Sequence, residues 1–270
     1  RTGVEAIYEK YLRGQYGETV YEVDALGRSQ VVLTQTEPIA GEHIKLTIDS
    51  EMQKKLEGSL ARFLKARGVT KGAAIALNPK NGEILALVSL PTFDNNDFSG
   101  GISVPKYNSY AQNEDKPLFN RAVSGAYPSG STIKPAIAAA ALSEGVINKN
   151  TTILSTGGIS IPPWFFPDWL AGGHGRVNVR ASLAWSVNTF YYYIGGGYKN
   201  FEGLGIDKII KYLKMFGFGK HLGVDLPAEN AGFLPGREWK EAVKKENWYI
   251  GDTYNVSIGQ GDVLATPLQI

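Results

Sequence analysis

From Ala136 to Leu142 the chain reads Ala-Ile-Ala-Ala-Ala-Ala-Leu, an apolar run of mostly small residues. A helix formed there has no polar face and has to be buried on most sides. A chain of 270 residues can do this within one large domain, or one domain with a smaller appendage. Just before the run stands Tyr127-Pro-Ser-Gly-Ser-Thr-Ile-Lys-Pro135. Pro135 falls in the first turn, where a missing N–H costs nothing. Ser131 and Lys134 therefore enter a buried helix three residues apart, on one face and one turn from each other.

That placement has a chemical reading. A serine hydroxyl is a weak nucleophile until a base takes its proton. Lys134, buried against the alanine-rich helix, has its pKa lowered toward a usable neutral form. Ser131 sits where free backbone N–H groups and the helix dipole favour developing negative charge. A Ser with Lys at +3 arises about once by chance in such a chain, and Ser103-Val-Pro-Lys106 is an example. That copy has a proline inside it and no apolar helix after it.

Ser186-Val-Asn188 follows at the end of a helix expected over 179–185. A hydroxyl there can relay a proton to a leaving amine, and an amide can bond both substrate backbone and Lys134. Read without Ser131, Asn188 is better taken as a helix-terminating asparagine.

Other elements follow from periodicity and turn residues. A capping box at Ser50-Glu-Met-Gln53 opens a helix to about Ala66, with Met52, Leu56, Leu60 and Phe63 at helical spacing. Two apolar runs, 72–77 and 83–90, joined by Asn78-Pro-Lys-Asn-Gly82, predict an antiparallel hairpin. The Asn-, Ser- and Pro-rich stretch 91–128 reads as a long surface connection, and 206–216 as an amphipathic helix stopped by Gly217. Residues 1–45 are mixed and Gly-punctuated, too short for an independent domain.

A net charge of +2 with interspersed signs gives no basic stripe and does not favour nucleic acid as a partner. The absence of cysteine removes disulfides, cysteine nucleophiles and cysteine-based zinc sites, and fits an extracytoplasmic compartment. No apolar run reaches the roughly 18–20 residues that span a bilayer, and the chain opens on Arg1 without a signal-like segment, so a piece of a longer protein is expected.

Ser-x-x-Lys with a Ser-x-Asn motif belongs to the signature of β-lactamases and penicillin-binding proteins. Nearly the whole chain resembles the class B penicillin-binding proteins of the elongation type, the penicillin-binding protein 2 group. The residues carrying the resemblance include Leu46-Thr-Ile-Asp49, Asn81-Gly-Glu-Ile-Leu-Ala86, Leu90-Pro-Thr-Phe-Asp-Asn95, Pro117-Leu-Phe-Asn-Arg-Ala122, Gly223-Val-Asp-Leu-Pro227, Ser257-Ile-Gly-Gln-Gly261 and Thr266-Pro-Leu-Gln269. Gly259–Gly261 fits a tight loop, and Trp239 and Trp248 read as packing residues.

The resemblance implies an α+β penicillin-binding transpeptidase (β-lactamase-like) fold, an antiparallel sheet with a helical subdomain. Residues 1–45 would be a remnant of an N-terminal pedestal domain and 46–270 the transpeptidase domain. It implies a D,D-transpeptidase of the extracytoplasmic membrane face, with Ser131 and Lys134 as nucleophile and base and Ser186 and Asn188 assisting. Its substrates would be D-Ala-D-Ala stem peptides, its inhibitors β-lactams, and its partners a RodA-type membrane glycosyltransferase and other elongation proteins. Two alternatives stay open, a serine β-lactamase or β-lactam sensor and a non-catalytic cell-wall scaffold.

The family's third motif, Lys-Thr-Gly or Lys-Ser-Gly on a cleft-lining strand, does not occur in this sequence. The expectation is therefore a chain truncated before that strand, with hairpin 72–90 left as a marginal two-stranded sheet and most activity lost with the oxyanion donors. No cofactor is expected. Some family members carry a structural zinc near Asp168 and His174, but two ligands do not make a zinc site and Val187 stands between Ser186 and Asn188, so no metal is expected and the pair reads as a loop carboxylate and imidazole hydrogen-bonding backbone.

Overall fold

The computed structural model describes residues 2–270. The chain begins with two short helices, α1 (Gly3–Ile7) and α2 (Glu9–Leu12), and a hairpin of β1 (Glu18–Val23) and β2 (Ser29–Thr36). Both faces of that hairpin are exposed along their full length.

Helix α3 (Ser50–Arg67) forms as the periodicity predicts, but its cap lies one residue earlier than expected. Asp49 is the N-cap, its carboxylate accepting from Glu51 N at 3.0 Å and Met52 N at 2.9 Å. A carboxylate accepts both N–H groups and favours the positive end of the helix dipole, so it outcompetes the Ser50 hydroxyl. Met52 and Phe63 stay largely exposed, and Leu64 is the buried contact, against the hairpin.

That hairpin, β3 (Gly72–Leu77) and β4 (Ile84–Leu90), is antiparallel and two-stranded, as the pattern predicts. Asn78 N bonds Glu83 O across the turn, and Gly82 takes the positive φ of 79° that the turn requires. Gln53 of α3 caps the outer edge of β4 with both ends of its amide, accepting from Leu87 N at 2.8 Å and donating to Leu87 O at 2.9 Å.

The stretch 91–128 is more ordered than the composition predicts. It contains a one-turn 3-10 segment, Asn95–Phe98, and α4 (Val104–Ala111), which opens on Pro105 with Ser103 at its N-cap. Phe93, Phe98 and Tyr110 pack their rings together, with Phe93 and Phe98 centroids 5.3 Å apart, and this local cluster fixes what turn-rich sequence alone leaves undetermined. Lys106 pairs with Asp97 at 3.1 Å, so the second Ser-x-x-Lys copy opens a surface helix with its lysine tied to a carboxylate.

The main core lies in the second half. α5 (Lys134–Ser143), α7 (Asn188–Gly196), α8 (Gly205–Met215) and α10 (Ile250–Ser257) pack together, with α6 (Val179–Ala184) and the three-residue α9 (Arg237–Trp239) at the margins. Ala136, Ile137, Ala138, Ala140 and Ala141 of α5 are buried, and their small side chains let α7 and α8 approach. On α8, Ile206, Ile209 and Leu213 form the buried stripe, each contributing about 1.5–3 kcal/mol by burial. Four short strands bracket the segment before α6: β5 (Ile153–Ser155) pairs with β8 (Gly175–Val177), and β6 (Gly158–Ile161) with β7 (Trp164–Pro167). Among the described residues no helix is long and apolar enough to cross a membrane.

Candidate active site

Ser131 lies in a 3-10 turn, Gly130–Ile133, that leads directly into α5. It is exposed at the mouth of a cleft of ≈ 640 Å³ that Trp169, Trp185, Ser186, Asn188, Ile258 and Gln260 also line. The turn is held from the opposite side by the segment after α10. Gly130 N donates to Gly259 O at 2.8 Å, and Tyr127 and Ala265 exchange two backbone bonds of 2.9 and 2.8 Å.

Lys134 is 1% exposed. Its Nζ donates to Ser186 O at 2.8 Å, Ser186 Oγ at 3.1 Å and Asn188 Oδ1 at 2.6 Å. The Tyr191 ring lies below, its centroid 5.1 Å from Nζ. Burial pulls the lysine down to about 8 from 10.5, against the opposing pull of the nearby Asp168 charge. An ammonium has three N–H donors and here three acceptors, which leaves none for Ser131. The structure thus brings Lys134, Ser186 and Asn188 into one bonded cluster beneath Ser131, without a hydrogen bond from Nζ to Ser131 Oγ.

The Ser186-x-Asn188 segment follows a helix end, as the sequence predicts, with Ser186 N bonding back to Leu183 O and Val187 N to Ser182 O, and it also opens the next helix. Helix α6 stops at Ala184, Ser186 takes a left-handed φ of 53°, and Asn188 is the first residue of α7. For a residue with a Cβ this conformation is strained, and it is the turn that points both the Ser186 carbonyl and hydroxyl at Lys134.

Asp168, just after β7, holds this turn. Its Oδ1 accepts from Asn188 N at 3.0 Å and Trp169 N at 2.9 Å; its Oδ2 accepts from Thr189 N at 3.0 Å, Thr189 Oγ1 at 2.8 Å and Ser155 Oγ at 3.2 Å. Burial pushes the carboxyl up, but the donors from Thr189, Asn188 and Trp169 outweigh it and hold it below its ordinary value.

Residues 72–270 match the penicillin binding protein transpeptidase domain. The chain belongs to this family. As a penicillin-binding protein it also matches, over residues 1–46, the penicillin-binding protein dimerisation domain. It is 40% identical to the peptidoglycan D,D-transpeptidase MrdA of Escherichia coli K12, over all of this chain and 41% of that protein. It is 32% identical to stage V sporulation protein D of Bacillus subtilis, over 99% of this chain and 38% of the relative. The chain thus spans about two fifths of the length of these relatives. Among solved structures, Helicobacter pylori PBP2 in complex with MreC superimposes with a TM-score of 0.83 at 34% identity, covering 100% of this chain and 48% of that one. Pseudomonas aeruginosa PBP2 in complex with WCK 5153 gives 0.81 at 34%, covering 100% and 54%. The penicillin-binding transpeptidase fold anticipated from the sequence is therefore the fold of this chain.

The zinc found in some members of the family does not suit the residues here. Both Asp168 oxygens are taken by N–H and O–H donors, and Ser155 offers only a hydroxyl already bonded to Asp168 and accepting from His174 N. The position between Ser186 and Asn188 is the fully buried, aliphatic Val187. His174 has both ring nitrogens without a hydrogen-bond partner, its Nδ1 3.8 Å from Asp168 Oδ2. One imidazole and one saturated carboxylate fall short of the four ligands a structural zinc requires. Among the described residues no group of three or more His, Cys, Asp or Glu is placed to hold a metal.

Sequence reasoning took Asp168 as a loop carboxylate bonding backbone, which it is, but did not connect it to Asn188, and it passed over Trp169, Trp185 and Gln260. No spacing rule links Asp168 to a helix start twenty residues later; the packing of β5, β6 and β7 against α7 brings them together.

Proposed function

We propose that this chain carries the acylation centre of an extracytoplasmic serine D,D-transpeptidase that cross-links peptidoglycan during elongation. The observation that carries the reading is the buried Lys134 amine, held by Ser186 and Asn188 beneath an exposed Ser131. In its neutral form the amine has a lone pair and needs fewer acceptors, so it can turn to Ser131 Oγ and take its proton. The Oγ attacks the penultimate D-Ala carbonyl of a stem peptide, the tetrahedral adduct collapses, and the C–N bond breaks. The proton passes from Lys134 through the Ser186 hydroxyl to the departing D-Ala amine. An amine of a neighbouring stem peptide then displaces Ser131 from the ester. A β-lactam follows the same first step, but its leaving amine stays tethered and the acyl-enzyme persists.

The rest of the reading is drawn from the relatives. MrdA is named a peptidoglycan D,D-transpeptidase, one similar PBP2 structure is a complex with MreC, and a further similar structure is of a peptidoglycan synthase complex coordinating polymerization and crosslinking. These support partners among elongation proteins, including a RodA-type glycosyltransferase, and action at the outer face of the cell membrane. The two matched segments, 1–46 and 72–270, support residues 1–45 as the end of an N-terminal pedestal and 46–270 as part of the transpeptidase domain.

The test is the pH dependence of acylation of the intact protein by a fluorescent penicillin. With a lysine near 8, the neutral fraction is about a tenth at pH 7 and a half at pH 8. The acylation rate constant should rise about 50-fold from pH 6 to pH 8 and then level off. A flat profile over that range excludes Lys134 as the base. Rapid turnover of a chromogenic cephalosporin, without a long-lived acyl-enzyme, would assign the chain to the serine β-lactamases instead. No acylation at any pH would leave the scaffold reading.

A further inference from the structure

The first turn of α7 raises a problem that its own sequence does not solve. The leading N–H groups of a helix have no partner inside it, and the N-cap residue, Val187, has no side-chain acceptor. Val187, Thr189 and Phe190 are buried, so water does not supply one either. The turn before it is also strained, because Ser186 is left-handed without being glycine. Bonds from Ser186 N to Leu183 O and from Val187 N to Ser182 O hold that turn against the end of α6, but the first turn of α7 needs a partner from elsewhere.

Resting on the transpeptidase reading above, we infer that Asp168 is a positioning residue of the Ser131 centre, whose buried carboxylate fixes the Asn188 amide and the Ser186 hydroxyl against Lys134 by holding the backbone N–H groups of Asn188 and Thr189. Its two oxygens divide the work: Oδ1 takes Asn188 N, and Oδ2 takes Thr189 N and Thr189 Oγ1. The carboxylate is itself braced by Trp169 N and Ser155 Oγ, and Ser155 is tied to the neighbouring strand segment through His174 N. It therefore acts as an N-cap supplied from another part of the chain, with its charge at the positive end of the dipole of a nine-residue helix.

The groups around this arrangement are few. Lys134 is faced by Ser186, Asn188 and the Tyr191 ring, and Tyr191 is pushed up by burial to about 12, so it stays neutral. Asp168 is faced by His174, whose Nδ1 is at 3.8 Å, and its charge acts on Tyr192, also pushed up to about 12. The Asp168 charge is thus the near anion that opposes the burial effect on Lys134.

The experiment compares Asp168→Asn, Asn188→Ala and the double variant of the intact protein, with acylation by a fluorescent penicillin resolved into an acylation rate constant and an apparent binding constant. Asp168→Asn keeps the shape but removes the charge and one acceptor. A lost buried, charged acceptor should lower the acylation rate constant by about 10- to 100-fold. If Asp168 works through Asn188, adding Asp168→Asn to Asn188→Ala should cost no more than about 3-fold further. The midpoint of the rate profile provides the second readout, since loss of the anion should move it to lower pH. Multiplicative losses in the double variant, or a profile that stays put, would overturn the inference. Should Asp168→Asn fail to fold, Thr189→Val removes a single donor, and an unchanged rate constant in that variant overturns the inference equally. Wild type that is not acylated at all defeats the transpeptidase reading; acylated wild type with an unaffected Asp168→Asn defeats only the role of Asp168.

Discussion

Replacing Lys134 by methionine should reduce acylation of the intact protein by a fluorescent penicillin by about 10³-fold or more, with the protein still folded. Methionine fills most of the lysine stem's volume and removes the amine. Among the described residues no other amine takes part in the cluster with Ser186 and Asn188, so none of them remains as a base beside Ser131. The substitution also has a signature in stability. The folded-state lysine sits near 8 and the unfolded one near 10.5, so between those values the unfolded chain binds more protons and stability rises with pH. Below pH 8 the wild type carries the full penalty, on the order of 3 kcal/mol, and recovers it by about pH 10.5. Lys134→Met should lack this rise, because it has no group to titrate. Denaturant midpoints measured across that window check it, and a variant that keeps the wild-type slope would place the titration elsewhere.

Gly259→Ala should be nearly as damaging, although residue 259 carries no chemistry. Gly259 has φ +72°, and a Cβ there would lie 2.0 Å from Gly130 O and 2.6 Å from Ser129 Oγ. The first contact is with backbone and cannot be relieved by rotating a side chain. Gly130 directly precedes the nucleophile and donates to Gly259 O. Either the two segments separate and displace Ser131, or the fold absorbs the strain. A displacement of about 1 Å is enough to cost roughly 10²-fold in rate. The expected result is at least that loss of acylation, together with a lower melting temperature. Gly261→Ala makes the comparison, since its φ is +73° but its added Cβ would meet only the Asn255 side chain at 3.2 Å. It should cost about 1–2 kcal/mol and leave acylation within a few-fold of wild type. Equal behaviour of the two variants would show that backbone conformation, and not the approach to Gly130, governs the site.

The sequence revealed the local devices of this fold and concealed the long-range ones. The alanine-rich α5, the stripe on α8 and the Asn81-Gly82 hairpin are each encoded within a dozen residues, and each formed where the pattern placed it. Helix α4 was hidden because Asn, Ser and Tyr have weak helix preference, and its support is an aromatic cluster with Phe93 and Phe98. The Ser186 turn was legible as a helix end, where bonds back to Leu183 and Ser182 hold it, but not as the start of a second helix, which needs further bonds from outside. The further bonds come from Lys134 to the Ser186 carbonyl and from Asp168 to the Asn188 and Thr189 N–H groups. Ser131, Lys134, Ser186 and Asn188 were legible as residue types at suggestive spacings. That the lysine would lie fully bonded to Ser186 and Asn188, with no donor left for Ser131, was not, because donor counting needs coordinates.

The most direct measurement is the site of covalent attachment after treating the intact protein with a penicillin, read by peptide mass spectrometry. The account expects one adduct per molecule, of the mass of the whole antibiotic, on the peptide containing Ser131, and none in Ser131→Ala. An adduct that persists in Ser131→Ala, or one mapped to another serine, would contradict it.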